Sequence, residues 1–145
     1  MSYPEKILRG ISDKNWIADD GTISAAAFQF SPNPERTDDF EEASINWHDD
    51  EGALNFLLSK KKENSDTIQF KGGVAILSKQ IIDTLKNLPA FKTSGFSYER
   101  NPIKGNDYHG NFLRNITISK QLKTLISSSI ALSVERIIPA PSQQQ

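Results

Sequence analysis

The stretch GGVAILSKQIIDTLKNLP, residues 72–89, decides the class of fold. Val74 to Leu77 form an unbroken apolar run behind a glycine pair, which reads as a short strand. The period then changes. Ser78 stands where an N-cap belongs, and Ile81, Ile82, Leu85 and Leu88 recur on one side until Pro89. A strand that enters a helix within one residue is an α/β-type junction. Just upstream, TIQF at 67–70 reads either as a second strand joined through a Gly turn or as part of one bulged strand.

Working outward, HDDEGALNFLLSKKKEN at 48–64 is a helix. Asp49 or Asp50 caps it, Glu51 sits in its first turn, and Leu54, Leu57 and Leu58 form its apolar stripe. Lys60, Lys61 and Lys62 close it, so charge complements the helix dipole at both ends. Before it, TISAAAFQF (22–30) and ASINW (43–47) read as strands separated by a Pro- and Asp-rich loop. After it, residues 90–100 read as a strand interrupted at Gly95, 112–118 as a short strand, and 119–134 as the longest helix, capped by Ser119. The expected order is β-β-α-β-β-α-β-(β)-α. The fold class is therefore α+β: a single globular domain over 1–138, with a mixed or mostly antiparallel sheet and about three helices packed on one face of it. Residues 139–145, PAPSQQQ, read as a flexible C-terminal tail.

With 17 basic against 18 acidic residues, nothing in the bulk charge draws a phosphate backbone, so bulk nucleic-acid binding is not expected. The absence of cysteine excludes disulfides, thiol nucleophiles and cysteine metal sites. MSYPEKILRG lacks the apolar core of a signal peptide, and no apolar run approaches a membrane span, so a cytoplasmic protein without membrane association is expected. No Walker loop, dinucleotide fingerprint, HExxH or EF-hand spacing is present, and neither a cofactor nor a metal is expected.

The candidate chemistry is sparse. His109 lies in GNDYHGNFLRN (105–115), bracketed by Gly105 and Gly110, with Asn106 and Asn111 able to orient the ring or a ligand. Arg9, with Ser12 and Ser24, forms a second set, since a fixed guanidinium can grip a phosphate or carboxylate bidentately. His48-Asp49-Asp50-Glu51 cannot converge on one ion, because adjacent side chains diverge; the helix-capping role accounts for it. Trp16 and Trp47 are expected as core or edge anchors, or as a partner surface if exposed together.

The order of Arg9-Gly10-Ile11, Asp20-Gly21 with Ser24 and Ala27-Phe28, Ser44-Ile45-Asn46-Trp47, Gly73-Val74-Ala75, Asn101-Pro102 and His109-Gly110-Asn111 resembles a group of small uncharacterised bacterial proteins. The pattern spans most of the chain. It departs at its end, where an insertion separates Asn101-Pro102 from His109. The resemblance implies a bacterial protein and highlights Arg9, Ser24, Ala27-Phe28 and His109, but it carries no activity to transfer.

Two functions follow as expectations. The first is a protein-interaction or accessory module that binds another protein encoded nearby, within a bacterial antiviral-defence or toxin–antitoxin operon, with Trp16 and Trp47 on its surface. The alternative is a small enzyme acting on a nucleotide or phosphate-bearing ligand. There Arg9 holds the anion, His109 moves a proton, Ser24 lines the wall, and Asn106, Gly110 and Asn111 contact the ligand. The second reading requires Arg9 and His109 to meet in one concave pocket.

Overall fold

The computed structural model describes residues 5–141 and places six strands in one sheet. In chain order these are β1 (Lys6–Ile11), β2 (Phe40–Trp47), β3 (Gly73–Ser78), β4 (Ser97–Arg100), β5 (His109–Asn115) and β6 (Arg136–Ile138). The helices are α1 (Glu51–Ser59), α2 (Lys79–Lys86), α3 (Pro89–Thr93) and α4 (Lys120–Leu132). The sheet order is β4-β5-β2-β1-β3-β6, and every neighbouring pair is antiparallel. Most of the tail expected from residue 139 lies outside the described residues.

The apolar run of β3 explains the layering. Ala75 and Leu77 point to one face, together with Ile7 of β1, and pack beneath Ile82, Phe91, Ile126 and Ile130 of α2, α3 and α4. Val74 and Ile76 point to the other face, with Leu8, and pack beneath Ala53 and Leu57 of α1. Helices therefore cover both faces of the sheet, where one was expected. A strand with no polar parity needs cover on both sides. Among the described residues, no helix is long and apolar enough to cross a membrane.

Local chemistry overrode the expected pattern in several places. Residues 22–30 do not form a strand. Ala25–Phe28 is a single 3-10 turn capped by Ser24, whose Oγ accepts from the Ala26 N–H at 3.1 Å. Alanines carry little strand preference, so a capping serine decides the conformation. Ser127 of α4 donates to the Phe28 carbonyl at 2.8 Å and ties this turn beneath the helix. TIQF contributes only an isolated bridge, Lys61 with Ile68. Pro89 ends one helical run but also opens the next, at the first position of α3. Gly95, at φ 65, then turns the chain into β4, which is shorter than expected. α1 closes at Ser59, ahead of the lysine run. The edge strand β6 and the strand β1 were not anticipated.

One feature of the register positions the site. β1 and β2 pair only at Ile7↔Trp47 and Leu8↔Asn46. Beyond that point β1 continues along β3 to Ile11↔Gly73, while β2 continues along β5 to Phe40↔Asn115. The two central strands part after Leu8. Downstream of the 3-10 turn the chain bridges to β2 at Ser31, opposite Glu42.

Candidate functional site

Arg9 is the first residue of β1 past the parting of the strands. Its Nε donates to the Ala27 carbonyl at 3.0 Å and its Nη1 to the Ser44 carbonyl at 2.7 Å, across the gap the ladder leaves. The guanidinium thus replaces missing sheet hydrogen bonds, and further N–H donors remain on its outer edge. It is half-buried, and among the described residues it bonds only to neutral carbonyls. Burial lowers its pKa to about 10, so it remains a cation at neutral pH.

A cavity of about 570 Å³ opens at this split, and both Arg9 and His109 line it. That volume lies in the range of small-molecule sites. Its charge is one-sided. Arg9, Lys60 at the end of α1, and Lys104 in the loop before β5 all contribute to the wall, and among the described residues no carboxylate does. None of these three cations forms an ion pair with a described carboxylate. The neighbouring acids are already occupied: Arg36 binds Glu42 at 2.9 Å, Glu99 at 2.6 Å and Asp38 at 2.9 Å. Burial opposes the charge on Arg36, but the hydrogen bonds it donates to these three carboxylates outweigh it and raise its pKa above the ordinary value. Trp16, Phe56 and Phe70 supply aromatic surface to the same cavity.

His109 opens β5, diagonally across from Ser44. Its Nδ1 lies 2.9 Å from the Asn101 carbonyl and its Nε2 lies 3.3 Å from Ser44 Oγ. A carbonyl can only accept, so Nδ1 carries the proton, and in the neutral ring Nε2 accepts from the Ser44 hydroxyl. Asn106 lines the cavity and donates to Asn46 Oδ1 at 2.9 Å; Asn46 itself is buried.

The remaining expected residues lie elsewhere. Ser24 caps its 3-10 turn and does not line the cavity. Gly110 is a packing position: a Cβ there would stand 2.6 Å from Trp47 Nε1 and 2.4 Å from the Glu99 carbonyl. Asn111 is fully buried, and its Nδ2 donates to Glu99 at 2.9 Å, so it joins the Arg36 network. Trp47 is 3% exposed, with the Arg100 guanidinium stacked 4.5 Å from its ring centre, whereas Trp16 lines the cavity. The two tryptophans do not form one exposed patch. Asp49 pairs with Arg100, and Asp50 caps α1 and accepts from Tyr108.

Sequence reasoning passed over Ser44, Asn46 and Lys104. A signal for the first two was present: along β2, Glu42, Ser44 and Asn46 occupy one parity while Ala43, Ile45 and Trp47 occupy the other. Polar residues that hold a strand parity in the middle of a sheet mark a part of that face left without helical cover. No protein-family model, curated protein or solved structure matches the chain.

Proposed function

We propose that this protein binds a small anionic ligand with a flat ring, of mononucleotide size, in the cavity at the split between β1 and β2. One observation carries the reading: a chain with 17 basic and 18 acidic residues gathers three cations around a single cavity, with no ion pair to a carboxylate and no carboxylate in the wall among the described residues. Holding Arg9 partly out of water with no described carboxylate beside it costs free energy that a bound anion recovers, and the exposed Lys60 and Lys104 add attraction for the same anion. The aromatic walls suit a planar ring beside the charged group.

Calorimetric titration with AMP, adenosine and inorganic phosphate tests the proposal. The expected order is AMP tightest, with adenosine weaker by at least about tenfold and AMP affinity falling with added salt. Equal binding of AMP and adenosine, or no binding of any of the three at millimolar concentration, refutes it. Phenyl phosphate against phenylacetate then distinguishes a phosphate from a carboxylate as the preferred anion.

A protein-interaction module is the second reading. It is favoured by Leu125 and Leu132, which stand 49% and 83% exposed on α4, seven residues apart. Substituting both with Glu abolishes partner capture if that surface is used, and leaves AMP titration unaltered.

A further inference from the structure

We infer that Ser44 is a nucleophile and His109 its base, so that the cavity hydrolyses a carboxylic ester whose acyl or alcohol part carries an anionic group. The inference rests on the anion-binding reading for its substrate class but on separate atoms for its chemistry. Three observations support it. The Asn101 carbonyl fixes the proton on Nδ1 of His109, which leaves the Nε2 lone pair facing the Ser44 hydroxyl at 3.3 Å. This is the tautomer a general base needs, held by an orienting acceptor, and such contacts are often long before substrate binds. Ser44 is exposed on the cavity wall although its strand neighbours Ala43 and Ile45 are buried, so its Oγ is open to a reactant. Asn46, two residues along β2 on the same face, is 2% exposed and its Nδ2 amide has no hydrogen-bond acceptor among the described residues. A buried donor without a partner is costly, and it fits an oxygen that becomes negative during reaction.

The step balances without any outside reagent. Ser44 Oγ forms a bond to the ester carbonyl carbon while its proton passes to His109 Nε2. The carbonyl oxygen takes the negative charge beside the Asn46 amide. The bond to the leaving alcohol then breaks as His109 returns that proton to the alcohol oxygen. Water attacks the acyl-serine, giving its proton to His109. The carboxylic acid departs as Ser44 recovers a proton from the same ring. Arg9 takes part through the Ser44 carbonyl, which it holds at 2.7 Å, and so positions the nucleophile.

An uncharged alkyl fluorophosphonate provides the test, because its reaction needs the nucleophile and base but not the cations. The expected result is one phosphonyl adduct with loss of fluoride, located by peptide mass spectrometry on Ser44, absent in Ser44→Ala and retained in Ser31→Ala, whose serine lines the same cavity. His109→Asn keeps an amide donor for the Asn101 carbonyl but has no basic nitrogen toward Ser44. Its labelling rate is expected to fall about 100-fold, with thermal melting confirming that the variant is folded. No adduct on Ser44, or equal rates in the wild type and His109→Asn, overturns the inference. AMP titration of the same preparation reports independently on the cations, so loss of the nucleophile and loss of the anion site remain separate results.

Discussion

Replacing Arg9 with Met separates a guanidinium that serves a ligand from one that only braces the sheet. The side chain makes two sound hydrogen bonds to carbonyls, at 3.0 Å to Ala27 and 2.7 Å to Ser44, and a third at 3.5 Å to Gln29 that is too long to count for much. A charged donor on a neutral acceptor contributes about 1.5–3 kcal/mol. The two sound bonds therefore sum to roughly 3–6 kcal/mol in favour of Arg. Against them stands the cost of holding a cation partly out of water with no described carboxylate beside it, about several kcal/mol. Met removes both terms and keeps the apolar stem, but it leaves the Ala27 and Ser44 carbonyls without their donor, and Ala27 is fully buried. The net change in unfolding free energy from urea titration is therefore expected to be a modest destabilisation, about 1–2 kcal/mol. AMP affinity behaves differently. Losing two charge-assisted bonds to the anion costs about 3 kcal/mol, on the order of 100-fold in Kd, while adenosine affinity stays as it was. A variant destabilised by about 3 kcal/mol or more, with AMP affinity within about twofold of wild type, would refute the reasoning and leave Arg9 as a brace alone.

Three further outcomes test the surrounding structure. Arg114→Ala is expected to cost about 3–5 kcal/mol in urea unfolding, because it strands the Glu41 carboxylate, 5% exposed, with only Lys123 at 3.5 Å; the double variant Arg114→Met, Glu41→Leu recovers most of that loss. Gly110→Ala is expected to destabilise by about 1–3 kcal/mol and to shift Trp47 fluorescence, since the added methyl meets the indole and the Glu99 carbonyl; unchanged fluorescence and stability contradict the packing. Burial opposes ionisation of Asp83, but hydrogen bonds from Tyr98 at 2.5 Å and Lys79 at 3.0 Å prevail and hold its carboxyl below the ordinary value. A carboxyl lowered in the folded state contributes stability that is present above the unfolded value, near pH 4, and lost as pH falls through the folded value. Asp83→Asn should therefore flatten the acid limb of a stability–pH curve and leave its slope between about pH 6 and 8 unaltered, while the alkaline limb changes because Asp83 also raises the pKa values of Lys79 and Tyr98.

The readable parts of the chain were those with a periodic apolar pattern, sharpened where a cap coincides with it. Residues 72–89 gave both β3 and α2, although Ser78 stands at the N-cap of α2 without a side-chain capping bond and Ile81 and Leu88 are exposed, whereas Ser119 and Asp50 cap α4 and α1 as their sequences imply. The 22–30 segment misled because alternating Ile, Ala and Phe mimic a strand, whereas the run of alanines leaves the backbone free to obey Ser24. β1 was hidden because Arg9 and Gly10 interrupt its apolar residues, and the interruption marks the residue that leaves the ladder to fill the gap. Arg9 and His109 could be picked out as residue types, but their meeting depends on a register that no local pattern encodes. Ser24 and Ser44 illustrate the limit: both are serines among apolar neighbours, and only pairing places one at a cap and the other facing an imidazole.

The parting of β1 and β2 links fold to site. A continuous antiparallel ladder would pair the Ser44 carbonyl with a backbone N–H of β1 and leave no opening in the sheet. Here β1 is held to β3 for its full length by apolar residues that both helical layers cover, while β2 follows β5 over seven consecutive pairs. The twist that separates these two tight pairs exposes carbonyls in the middle of the sheet. Unpaired carbonyls away from bulk water need a donor. A backbone N–H from β1 cannot reach, but an arginine on β1 can, and it brings a formal charge with it. The cation in the cavity is in this sense a consequence of the split, and the ligand chemistry follows from it. A sheet repaired by closing the gap would dispense with both the arginine and the site.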